Sequence, residues 1–175
     1  MDILDRLLGH DAWTTRQLLL QCRDLSEEQL DRPFDIGNRS LRDTLEHIIA
    51  CMESHTDFLL RRSYVPGGRD DTSVEGMLRR LTIVAKDFAE LATRVQREGR
   101  ADEMITNPNS GNRRSLGGVI AHLLTHSMHH RAQALYMLDQ LGGENVIEGD
   151  VLGWEAAARG WGWEDGGSYG RMKAD

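Results

Sequence analysis

Four long stretches of this 175-residue chain set apolar side chains three or four residues apart, and that spacing commits each to a helix with one buried face. The first runs from about Asp2 to Arg23, with Leu4, Leu8, Leu18, Leu19 and Cys22 on or near one side and Asp2 placed to cap it. The second is predicted to start at the N-cap Ser40 and to bury Leu41, Leu45, Ile48, Met52 and Leu59. It should end near Arg62, because Pro66-Gly67-Gly68 cannot continue it. The third opens with Thr72-Ser73-Val74-Glu75, a capping-box spacing, and carries Met77, Leu81, Val84, Phe88, Leu91 and Val95 before Gly99. The fourth is capped by Ser115, runs to Leu141 and stops at Gly142-Gly143.

The connections are modest. Ser26 to Leu30 makes a turn of helix that Pro33 ends, and Arg100 to Arg114 has the turn chemistry of a small hairpin around Asn107-Pro108-Asn109-Ser110-Gly111-Asn112. No stretch alternates strongly enough to demand a sheet. The expectation is an all-α four-helix bundle over residues 1–143. Residues 144–175 form a C-terminal extension, packed on the bundle or partly flexible; nine of the 18 glycines lie between Gly142 and Gly170, with Trp154, Trp161 and Trp163. One short helix is expected there, from Asp150 to Arg159.

Charge narrows the partners. Lys and Arg number 21 against 28 Asp and Glu, for a net charge of −7, and no basic block offsets it. Phosphate backbones and anionic membranes repel such a chain, so neither nucleic acid nor membrane is expected as a partner. The N-terminus alternates acidic and apolar residues, unlike a signal peptide, and no window approaches the ~20 apolar residues of a bilayer span. Cys22 and Cys51 each sit inside a helical apolar pattern, which reads as free thiols in a reducing cytoplasm.

The histidines carry the chemistry. Of seven, four fall within nine residues, His122, His126, His129 and His130. His122, His126 and His130 form one stripe at intervals of four, so neighbours in it can reach one ion. The outer two are roughly 12 Å apart along the axis, too far to share an ion whose nitrogen bonds are about 2.0–2.1 Å. This helix therefore supplies two ligands, the upper pair or the lower pair. His47, near Thr44, Ile48, Cys51 and His55 on the second helix, is the candidate third. Alone it would read as a core imidazole bonded to a carbonyl or carboxylate; opposite a pair on another helix it reads as a ligand.

The remaining candidates are secondary. His10, His55, His122 and His129 read as pocket-lining or packing residues, with His129 or His122 able to stand in as a ligand. Cys51, four residues after His47, is either an added thiolate or a small buried hydrophobe. Gln133, Glu46, Asp43 and Thr44 are near enough in sequence to orient the rings, and Arg131, off the ligand stripe, reads as a helix-stabilising salt bridge. No Ser-His-Asp arrangement or phosphate loop is present; Gly67-Gly68 and Gly117-Gly118 lack the context.

Three segments together resemble the DinB-like (damage-inducible, YfiT-like) superfamily. They are Trp13-Thr14-Thr15-Arg16-Gln17-Leu18-Leu19, Ser40-Leu41-Arg42-Asp43-Thr44-Leu45-Glu46-His47-Ile48, and His126-Ser127-Met128-His129-His130-Arg131-Ala132-Gln133, and the resemblance covers about Met1 to Leu141. It implies up-down-down-up connectivity, a homodimer, and a divalent metal, usually zinc or nickel, on His47, His126 and His130. Relatives include thiol-dependent S-transferases and isomerases that use bacillithiol, mycothiol or glutathione. Three histidines leave one position of a tetrahedral ion open, the pattern of catalytic zinc, where a water reaches a pKa of about 7 or a thiol is deprotonated. The expectation is thus a metal-dependent enzyme acting on a small electrophile, either a transferase with a low-molecular-weight thiol as cosubstrate or a hydrolase. The alternative is a non-catalytic metal-binding stress-response or interaction protein.

Overall fold

The computed structural model describes residues 1–37, 39–62, 69–107, 111–143, 146–147 and 149–160. Among them the protein is mostly helical, with α1 (Ile3–Gln21), α2 (Glu27–Leu30), α3 (Leu41–Leu60), α4 (Val74–Arg97), α5 (Leu116–Gln140) and α6 (Val151–Arg159). Short polar side chains fix the starts. Asp2 and Asp5 cap α1 reciprocally, each carboxylate accepting from the other's backbone N–H at 2.8 and 2.9 Å. Ser40, Ser115 and Asp150 accept from the third residue beyond them at 3.0, 3.1 and 2.6 Å.

The third long helix starts one residue later than its spacing suggests. Ser73, not Thr72, is the cap, and its hydroxyl accepts from Gly76 N–H at 3.0 Å, so the Thr72/Glu75 box does not form. Asp71 decides this by accepting the Ser73 N–H and O–H at 3.0 and 2.5 Å, which holds Ser73 in the capping position. Gly99 ends α4 as expected, at φ +65°, with Arg100 N–H reaching back to the Val95 carbonyl at 3.0 Å. Helix α3 closes on Arg61, itself left-handed at φ 54°. Pro66, Gly67 and Gly68 lie outside the described residues. The polar stretch forms a short antiparallel hairpin, β1 (Met104–Thr106) with β2 (Arg113–Ser115) and Ile105 opposite Arg114.

The four long helices pack side by side: α1 lies against α4 and α5, and α3 lies against the same two. Two apolar clusters fill the interior. One gathers Leu18, Leu19, Leu41, Leu45, Ile48, Ile49, Met77 and Met137. The other gathers Leu8, Met52, Val84, Phe88, Leu91, Ile120 and Leu123. Each such side chain contributes about 1.5–3 kcal/mol on leaving water. Leu59, read as core, is only half-buried. Helix α6 packs on α1, where the Trp154 indole covers Gly9 so closely that any Cβ at position 9 would run into the ring. Trp161 and Trp163 lie outside the described residues.

Charge is buried in two places. Arg80 on α4 donates to Glu53 on α3 at 3.1 and 2.9 Å and to Glu46 at 3.1 Å, with Arg80 and Glu53 almost fully enclosed. Arg131 forms a salt bridge, but a tertiary one: it pairs with Asp11 across the α1–α5 contact, both side chains 4% exposed. A stripe position on α5 that faces α1 has no carboxylate of its own helix within reach, which is why the local reading fails. Both cysteines are free, and burial pushes the Cys22 thiol up to about 12. No described helix is long and apolar enough to cross a membrane.

Candidate metal centre

Helices α3 and α5 run against each other along their histidine faces, and this contact converts two sequence stripes into one cluster. His126 Nε2 stands 3.2 Å from His47 Nε2 and 3.2 Å from His130 Nε2. A tetrahedral ion with nitrogens at about 2.0–2.1 Å holds them about 3.3 Å apart, so the spacing fits a common first-row cation. Among the described residues His47, His126 and His130 are the group that could share an ion, their donor atoms lying within 4.8 Å of one another. Of the two pairs open to the α5 spacing, the lower pair is the one that meets His47.

Protons alone serve this arrangement poorly. The Gln133 side-chain carbonyl can only accept, so at 2.8 Å it fixes the His130 proton on Nδ1 and leaves a lone pair on Nε2. One proton on His126 Nε2 cannot satisfy both neighbours, whereas a shared cation satisfies all three. Burial, then the adjacent His130, His47, His122 and His55, hold His126 down to about 4 from an ordinary 6.5. Burial likewise lowers His130, against a raising contribution from Gln133. Both rings are therefore neutral at neutral pH, the protonation state a metal requires.

That depression has a sign for stability. The unfolded chain takes up the His126 proton near 6.5 and the folded chain only near 4, so acid favours unfolding in between. The metal-stripped protein should hold its full stability above pH 6.5 and lose it steadily as pH falls toward 4, measured by urea midpoints across that range.

Of the groups expected to orient the rings, only Gln133 does so. It also donates from its amide nitrogen to His129 Nε2 at 3.1 Å, which ties His129 to this role and away from the trio. Glu46 is turned to Arg80, Thr44 donates to the Ser40 carbonyl at 2.7 Å, and Asp43 is exposed in the first turn of α3. Gly37, at φ +58°, lies so close under the Gln133 amide that a Cβ there would strike it; nothing in the local spacing points to that contact. Cys51 Sγ is 3.6 Å from His55 Nδ1 and stands outside the trio, its thiol pushed up by burial.

The histidine row continues past the trio. The His122 ring lies 5.2 Å from that of His126 and 5.9 Å from that of His55. His55 and His122 line a cavity of about 480 Å³ with Phe58, Ile105, Arg114 and Ser115. The hairpin supplies part of that wall, a role its three-residue strands did not advertise. His10 faces elsewhere, donating from Nε2 to the Gly149 carbonyl at 2.7 Å.

In comparisons with known proteins, the family model described as the DinB family matches residues 1–159. The match passes Leu141, where the motif resemblance ends, and includes α6. No curated protein matches the chain.

Proposed function

The chain belongs to the DinB family, and on that footing we propose that it is a divalent-metal-dependent enzyme that joins a low-molecular-weight thiol to a small electrophile. The ligands are His47, His126 and His130, and zinc or nickel is the ion their chemistry suits. The observation that carries this reading is the approach of three imidazole Nε2 atoms from two helices, with that of His126 standing 3.2 Å from those of both His47 and His130. A divalent ion on three neutral imidazoles acidifies a thiol or water beside it.

The chain's own residues do the rest. Gln133 holds the His130 ring in the tautomer that turns its lone pair toward the other two. His55 donates its Nδ1 proton to the Cys51 carbonyl at 2.9 Å, which leaves Nε2 as a proton acceptor on a residue lining the neighbouring cavity. Phe58 and Ile105 give that cavity apolar surface, and Arg114 adds a cation at its wall. A small substrate with an apolar body fits such a lining.

Elemental analysis of the purified protein, followed by assays with bacillithiol, mycothiol or glutathione and a chlorinated aromatic, tests the proposal. About one ion per chain and thiol-dependent loss of the aromatic are expected, both abolished by chelation. Bound metal without turnover of any thiol, or with hydrolysis instead, overturns the transferase reading. Gln133→Ala should weaken metal binding about 10–100-fold by releasing the His130 ring, read by competition with a chromophoric chelator. Gly37→Ala should act in the same direction, since it pushes on the same amide.

A further inference from the structure

A second cavity, of about 440 Å³, lies between α1, α4 and α5. It is on the opposite side of α5 from the histidines: residues 120, 124, 128 and 131 face it, whereas 122, 126 and 130 face α3. Leu4, Leu7, Val95, Ile120, Leu124 and Met128 make its walls apolar. Arg131, only 3% exposed, lines it as well.

The bonding of Arg131 is incomplete. Its Nη1 donates to the Asp11 carboxylate, and at 3.4 Å to the Asp11 carbonyl and the Thr15 hydroxyl. Among the described residues nothing accepts from its Nε or Nη2. Elsewhere in this protein that same edge of a guanidinium holds a carboxylate. Arg80 uses Nε and Nη2 on Glu53 at 3.1 and 2.9 Å, Arg23 uses them on Glu75 at 2.7 and 3.2 Å, and Arg100 on Glu103 at 2.6 and 3.0 Å. Arg100 also shows that the remaining Nη1 can serve a second acid, Glu98, at 3.1 Å. One guanidinium between two carboxylates is thus a geometry the chain already contains, and in Arg131 one of the two places has no partner among the described residues. A buried fork of N–H donors under apolar walls selects a planar oxyanion on a hydrocarbon body.

We propose that the α1–α4–α5 cavity binds a small apolar carboxylic acid, its carboxylate on the Nε/Nη2 edge of Arg131 and its hydrocarbon body among Leu4, Leu7, Ile120 and Leu124. The site is separate from the metal centre and does not depend on the reading of that centre.

Calorimetric titration of the full chain with sodium octanoate, 1-octanol and sodium acetate tests this. Octanoate should bind one to one, about tenfold to a hundredfold more tightly than 1-octanol, because only the acid engages both donors; acetate, without the body, should not bind measurably. Ala121→Trp, at an exposed α5 position that lines the cavity, should weaken octanoate at least about tenfold by filling the space its body needs. Arg131→Lys keeps a cation for Asp11 but loses the fork, so octanoate and octanol should become nearly equal. Metal-stripped and metal-loaded protein should bind octanoate alike, within about twofold; affinity that follows metal content would overturn the separation of the sites. Equal affinity for octanoate and octanol in the wild type, or octanoate binding that survives Ala121→Trp unchanged, overturns the proposal. So does the absence of octanoate binding. Ala121→Trp leaves the Asp11–Arg131 pair intact, so the test stands even if Arg131→Lys fails to fold.

Discussion

Replacing His126 by alanine should reduce bound metal from about one ion per chain to background, the largest functional effect of any single change at the centre. His126 is the hinge of the trio, since both 3.2 Å nitrogen contacts pass through it. Its loss leaves two imidazoles on different helices, with no third donor among the described residues within their group. The expected fall in affinity exceeds the roughly 10–100-fold that an outer residue such as Gln133 costs. The ring is only partly buried, so truncation opens no core void and the variant should fold. A second readout separates lost ligation from lost fold. Added zinc or nickel should raise the melting temperature of the wild type, by the mass-action stabilisation of a bound ligand, and leave the variant unmoved. The stripped variant should also be less sensitive to acid between pH 6.5 and 4, because the ring held down to about 4 is gone. Stoichiometric metal in His126→Ala would sink the assignment of the ligands.

The largest expected loss of stability comes from Arg80→Ala. Arg80 is 5% exposed and bridges Glu53, equally enclosed, with Glu46 nearer the surface. Removing the cation leaves the Glu53 carboxylate inside the α3–α4 contact without its principal partner, with Arg69 at 3.7 Å as the remaining cation. Breaking a buried pair in this way costs about 3–5 kcal/mol. For a chain of this size each kcal/mol moves the melting temperature by about 2–4 °C, so a fall of about 6–20 °C is expected by calorimetry. The double change Arg80→Met with Glu53→Leu removes both charges and keeps apolar volume, and should recover most of that loss. If the double variant were no more stable than Arg80→Ala, the cost would lie in packing and not in the stranded charge.

Much of this molecule was legible in its sequence, and the boundary follows a physical line. Local rules worked where the controlling contact is local. Asp2, Ser40, Ser115 and Asp150 cap the helices they precede, and Gly99 closes α4, because each acts on a backbone group within one turn. The one misplaced cap, Ser73, was decided by Asp71 two residues upstream, a competitor the four-residue pattern does not weigh. The histidine spacing limited α5 to two adjacent donors but could not choose between the pairs. That choice depends on how far α3 slides along α5, which is set by packing and not by either helix alone. The same limit hid Arg80 and the partner of Arg131. A charged residue on a helix reads as solvated until the opposing carboxylate is brought in from 27 or 120 residues away. Gly37 is the extreme case, its meaning supplied entirely by an amide on another element.

The fit of Trp154 over Gly9 bears on how the protein is made. The first helix leaves the ribosome well before the indole that roofs it has been translated, so that notch waits open while the helices between them are made. Closing it is a late event that joins the first described helix to the last. Until α6 docks, the Gly9 notch on the first helix has no cover.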